Sequence, residues 1–176
     1  MKMENLLRMV YVSTTANPVS DVTGSVQVDV GRILMQARKN NPRDKIGGVL
    51  YFNNNYFFQC LEGEQQAVNR LYNKILTDPR HNNVQTVWAK RIDKRLFSNW
   101  SMKYIAQENN VVRLLRSNGF SSFRPYEFDE DMIEIMLTLF TEAKDTSAQA
   151  DQNYSQPYKQ EKVGFLSRFL KRNKAA

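Results

Sequence analysis

The sequence predicts an α+β domain of ferredoxin-like architecture: a β-α-β-β-α-β-β sheet with two helices on one face and two C-terminal helices on the other. Three observations carry this. Segments with period-two alternation and β-branched or aromatic side chains recur between residues 6 and 105. Two amphipathic segments of helical period separate the first strand from the second and the third from the fourth. The Asn53-Asn54-Asn55 turn makes the second and third strands a hairpin. The crossover rules then put both helices on the same sheet face.

Leu6 to Ser13 is the first strand, with Met9, Tyr11 and Ser13 on one face and Val10 and Val12 on the other. Thr14 to Gly24 is turn-rich. A helix runs from about Val28 to Asn40, its core side marked by Val30, Ile33, Leu34 and Ala37. Asn40-Asn41-Pro42 ends it, because the residue before proline is pushed out of the α region. Asn41 then sits at the helix end, on the same face as Ile33. Ile46 to Phe52 and Tyr56 to Glu62 form the hairpin. Glu64 to Thr77 is the second helix, with Val68, Leu71, Tyr72 and Ile75 as its stripe. Val84 to Ile92 and Trp100 to Ile105 are the last two strands, and Trp100, Met102 and Tyr104 are expected to share a face. Val111 to Leu115 and Phe128 to Ala143 are the covering helices, the second with Asp129, Glu130 and Asp131 at its dipole-positive end.

Composition narrows the function. The chain has 176 residues, enough for a core that needs neither disulfide nor metal. Its one cysteine, Cys60, and one histidine, His81, match no metal-ligand spacing. Glu4 and Arg8 interrupt the first apolar run, so no secretory signal is expected, and no segment reaches the ~20 apolar residues of a membrane span. A cytoplasmic protein is the expectation. The net charge of +7 is uneven. Residues 157–176 carry Lys159, Lys162, Arg168, Lys171, Arg172 and Lys174 against Glu161, whereas residues 1–156 carry 19 basic and 17 acidic side chains. A basic globular face for nucleic acid is therefore not expected. Residues 1–106 are expected to form the main domain, 107–145 its capping helices, 146–160 a polar linker and 161–176 a basic amphipathic tail. That tail suits an anionic membrane surface or a partner protein.

The chemistry centres on Gln59. It lies between Phe57 and Leu61 on one strand face, where an amide without partners costs ~1–3 kcal/mol. Backbone or water could satisfy it; a ligand is the other reading. In the split β-α-β order the first and third strands are central neighbours, which brings Tyr11 within reach of Gln59. Asn41 ends the first helix, Ile33 and Ile75 supply apolar walls, and Trp100 and Met102 come from the fifth strand. The result is a slot with flat apolar sides and amides at its inner edge, suited to a planar heteroaromatic ring.

Six segments in order resemble the BLUF family, bacterial blue-light sensors that use FAD. They are Tyr-Val-Ser at 11–13, Ala-Arg-Lys-Asn-Asn at 37–41, Ile-Gly-Gly-Val-Leu-Tyr at 46–51, Phe-Phe-Gln-Cys-Leu-Glu-Gly at 57–63, Asp-Pro-Arg-His at 78–81 and Phe-Ser-Asn-Trp-Ser-Met at 97–102. The resemblance implies roles by position. Tyr11 matches the tyrosine that gives an electron and a proton to the excited flavin. Gln59 matches the glutamine that bridges that tyrosine and the flavin. Asn41 matches the residue bonded to the pyrimidine side of the ring, and Ile33 and Ile75 match residues flanking it. Arg80 and His81 match residues close to the flavin side chain. Trp100 and Met102 match the strand-five pair tied to signalling. Gly47 stands where the family usually has threonine.

The implied function is a photoswitch and not an enzyme. It would signal from a homo-oligomer to a protein partner, with a regulator as one candidate. Other readings of the same core are a light-insensitive ferredoxin-like interaction module, an RRM-like nucleic-acid binder and a small acylphosphatase-type enzyme. The small net charge of the globular part and the lack of an anion-cradling Gly-rich loop weigh against the last two.

Overall fold

The computed structural model describes residues 5–16, 25–105 and 109–146, with the backbone alone for residues 25–28. The expected linker at 146–160 and tail at 161–176 fall, after Thr146, outside the described residues. The elements are β1 (Leu6–Thr15), α1 (Ser25–Asn40), β2 (Gly47–Asn53), β3 (Tyr56–Glu64), α2 (Gln65–Ile75), β4 (His81–Ile92), β5 (Lys103–Ile105), α3 (Asn109–Ser117) and α4 (Glu130–Glu142), with a 3-10 turn at Pro125–Glu127.

One sheet holds all five strands in the order β4-β1-β3-β2-β5. β1 is antiparallel to both β3 and β4, β2 is antiparallel to β3, and β5 is added parallel to β2. This is the split β-α-β arrangement with one extra edge strand, the α+β fold the element order predicts. The β2–β3 turn uses Asn54 and Asn55 at φ 50° and 65°, the left-handed values a two-residue hairpin needs and asparagine tolerates.

Alternation divides the apolar residues between two layers. Met9, Tyr11, Leu50, Phe57 and Leu61 face α1 and α2, where Val30, Ile33, Leu34, Ala67 and Val68 complete one core. Val10, Val12, Val49, Tyr51, Phe58 and Cys60 face the other way and are covered by Val111, Leu115, Phe123, Phe128, Met132, Ile133, Met136, Leu137 and Phe140. α4 starts on Asp129, whose carboxylate accepts from Met132 N at 2.8 Å.

β5 is shorter than the expected strand from Trp100 to Ile105, because Trp100 N donates to Phe97 O at 3.2 Å and closes a turn ahead of it. Two further contacts hold this segment. Gly48 N donates to Trp100 O, and the buried Glu62 carboxylate accepts from Leu96 N at 3.1 Å and Phe97 N at 2.8 Å while pairing with Arg8. Gly47 explains the close approach: a Cβ there would lie 2.6 Å from Phe97 O and 3.0 Å from Trp100 O. Threonine at this position would require the segment to move outward.

Candidate functional site

A cleft of about 570 Å³ opens between α1 and α2 above the centre of the sheet. That volume lies within the range of small-molecule sites. Tyr11 and Gln59 form its floor because β1 and β3 place them directly opposite one another. Tyr11 is fully buried, and its phenol donates to Gln59 Oε1. Gln59 Nε2 in turn donates to Met102 Sδ at 3.4 Å. Asn41 lines the same cleft at the end of α1, and its Nδ2 donates to Ser101 O at 2.8 Å. Two amides on the cleft therefore grip consecutive residues, Ser101 and Met102, just ahead of β5.

Ile33 and Ile75 line the two helical sides. Arg80 and His81 line the end nearest β4. Arg80 Nε donates to Asp78 Oδ1 at 2.8 Å and its Nη2 to Gln36 Oε1 at 2.7 Å. The Arg80 bond holds the Asp78 carboxyl below its ordinary value, and the same bond raises the guanidinium. His81 Nδ1 shares a hydrogen bond with Ser13 Oγ at 2.8 Å, and its ring packs on Phe57 at a centroid separation of 4.6 Å. Burial, the main cause, pushes its imidazole down to about 4, so the ring is neutral near pH 7; the nearby Asp78 acts in the opposite direction. Burial also raises the Tyr11 phenol well above its ordinary value, with the charge of Asp78 adding to it. Tyr11 is held as a neutral donor that does not ionise on its own at neutral pH.

Of the nine candidate site residues, Tyr11, Ile33, Asn41, Gln59, Ile75, Arg80 and His81 line this one cleft. Met102 reaches it through Gln59. Strand periodicity predicts that Trp100 shares a face with Met102, and it does not: the two pack in opposite layers. Trp100 lies in the turn before β5 and packs against the α3–α4 layer, its ring 4.4 Å from Lys103 Nζ. Alternation holds only inside a strand, and β5 begins three residues later.

Sequence reasoning missed the cleft's cations. Arg43, Arg70 and Lys74 line it with Arg80. The spacing of Arg70 and Lys74, one helical turn apart on α2, was the available signal. Tyr72 was also missed as a ring neighbour of Tyr11, at 5.7 Å between centroids. Amide donors and acceptors on the floor, aliphatic sides and several cations suit a flat heteroaromatic ring with an anionic extension. Among the described residues no group of three or more side chains could hold a metal ion, and no helix is long and apolar enough to cross a membrane.

The family described as sensors of blue-light using FAD (BLUF) matches residues 6–103. The photoactivated adenylate cyclase subunit beta of Euglena gracilis is 33% identical over 104 residues, which is 58% of this chain and 11% of that protein. The blue light- and temperature-regulated antirepressor BluF of Escherichia coli is 27% identical over 106 residues, 58% of this chain and 26% of that protein. The chain thus spans a tenth to a quarter of the length of these relatives. Among solved structures, the photo-activated state of BlsA superposes with a TM-score of 0.73 at 35% identity, covering 80% of this chain and 98% of that one.

Proposed function

The chain belongs to the BLUF family, the sensors of blue light using FAD, and from that premise we propose that it is a switch without turnover whose signal leaves the cleft through β5. FAD is its cofactor. The bound flavin supplies a blue-absorbing ring that, once excited, accepts an electron and a proton. Everything else is the work of this chain's residues. Ile33 and Ile75 would flank the ring, Asn41 and Gln59 would hydrogen-bond its polar edge, and Arg43, Arg70, Lys74 and Arg80 would offset the charge of the diphosphate.

Tyr11 is the donor. Burial keeps the phenol protonated before excitation; oxidation makes that proton strongly acidic, and the carboxamide of Gln59 is the acceptor already bonded to it. Tyr11 would give its electron to the ring and its proton to Gln59 Oε1, and Gln59 would pass a proton from Nε2 to the ring, so that the side chain stays neutral. When both return, the Gln59 amide settles in a rotated or tautomeric arrangement with a different set of donors and acceptors. A changed hydrogen bond from Gln59 to the ring would shift its absorption to the red, with no net redox change.

The Gln59 Nε2 bond to Met102 Sδ carries this reading. An amide that reorients releases a sulfur ahead of β5, while Asn41 still holds Ser101. Two arrangements of one short strand are the bistable element a switch requires. In this reading residues 1–106 are the sensor, 107–145 relay the signal and a cytoplasmic protein partner receives it. The cyclase named for the Euglena relative is that protein's activity.

The test is spectroscopic. The purified, FAD-loaded chain shifts reversibly to the red under blue light. Gln59→Leu and Tyr11→Phe retain the flavin and lose the shift. A normal photocycle in Gln59→Leu would refute the assigned role.

A further inference from the structure

Among the described residues a second concavity lies across the sheet from the cleft, on the outer face of α3 and α4. It is a groove of about 460 Å³ lined by Leu114 from α3 and by Glu134, Ile135, Thr138, Leu139 and Glu142 from α4. The α4 residues fall at spacings of three and four and so form one stripe. Ile135 is 43% exposed, uncommon for a large aliphatic in an otherwise packed helix pair. The groove is apolar along its middle and acidic at both ends. α4 carries Glu130, Asp131, Glu134 and Glu142 and no basic residue. Lys90 meets Glu134 at 3.4 Å and Glu130 at 4.0 Å, whereas Glu142 has no cation within ion-pair distance among the described residues.

The sequence supplies an occupant. In residues 161–174, Val163, Leu166, Phe169 and Leu170 fall near one side at helical spacing, and Lys162, Arg168, Lys171, Arg172 and Lys174 surround them. This is the complement of the groove: an apolar stripe with basic flanks against an apolar trough with acidic ends. We propose that this tail segment docks in the α3–α4 groove of its own chain.

Reach favours the chain's own tail over a second copy. The described chain ends at Thr146, four residues beyond the Glu142 end of the groove. Residues 147–160 are polar, and a stretch of that length can span at most about 50 Å. α4 itself is about 20 Å long, as a helix over 161–174 would be. A tether of this length sets an effective concentration of about a millimolar, so weak contacts suffice for occupancy. Docking of the tail does not depend on the light reaction.

The experiment uses the full FAD-loaded chain in the dark, with a nitroxide on Ala175→Cys; Cys60 is fully buried and stays unlabelled. Methyl NMR reads Leu114, Ile135 and Leu139. Docking predicts selective broadening of these methyls that does not change over a tenfold dilution. Glu134→Lys with Glu142→Lys should reduce it at least twofold, as should Leu166→Glu with Phe169→Glu. Three results overturn the proposal. One is no broadening. Another is broadening that appears only between labelled and unlabelled molecules, which assigns the groove to a second copy. The third is a tail that responds only to phosphatidylserine vesicles while the groove methyls stay sharp, which assigns it to a membrane surface.

Discussion

Replacing Lys103 with methionine separates the stability of the α4 cap from the chemistry of the cleft. Lys103 is 1% exposed, and its side chain points away from Gln59, into the layer between the sheet and α4. There its ammonium donates to Phe140 O at 2.7 Å and Thr141 O at 3.1 Å, carbonyls in the last turn of α4, and lies over the Trp100 ring. Each charged hydrogen bond is worth ~1.5–3 kcal/mol, and a cation at a partly buried helix C-terminus adds up to ~2 kcal/mol. The ring contact adds ~0.5–2 kcal/mol. Against these stands relief from holding an ammonium away from water, several kcal/mol. Methionine keeps the stem and removes the charge, leaving carbonyls that have lost their donor. The net loss should be about 2–4 kcal/mol, a fall in Tm of about 5–15 °C for a domain of this size. Thermal unfolding of the FAD-loaded protein measures it, and the dark spectrum and red shift should survive. A Tm within about 2 °C of the parent, or loss of the flavin spectrum, would sink the reasoning.

Other expectations follow from the same geometry. His81 is buried neutral with its imidazole pushed down to about 4 from an ordinary 6.5. The unfolded chain binds that proton first, so stability is full above about pH 6.5, falls as pH drops toward about 4 and then levels, by at most about 3 kcal/mol. His81→Leu in the cofactor-free protein should flatten urea-unfolding stability across that window; an unchanged slope would exclude His81 as its source. Gly48→Ala should cost at least about 3 kcal/mol, since its Cβ would lie 2.1 Å from Cys60 O. A soluble variant melting within about 2 °C of the parent would contradict that.

How much the sequence discloses depends on the range of the contact. Strand faces were legible because a single residue's parity assigns it: Tyr11 and Gln59 had to share a layer once β1 and β3 were neighbours. The same parity misled at Trp100, where a turn interrupts the strand. Asn41 was placed by Pro42, a local signal. The Ser13–His81 bond and the Tyr72 ring beside Tyr11 were not legible, since they depend on how β4 and α2 settle against β1. Lys103 was the hardest case. A lysine on an edge strand reads as solvated, and only the fold supplies the distant carbonyls that let it be buried.

The outer rim of β5 has a consequence beyond the switch. Tyr104 turns both backbone groups away from β2. Its N–H donates to Asp145 Oδ1 at 3.2 Å, and its carbonyl accepts from Thr146 N at 2.8 Å. An edge strand with free amides is a template on which another polypeptide can add itself. Here two residues just past α4 act as a selvedge, finishing the woven border so that it cannot be extended. A chain cut before Asp145 would carry a raw margin, and clumping in solution is the fate that margin invites.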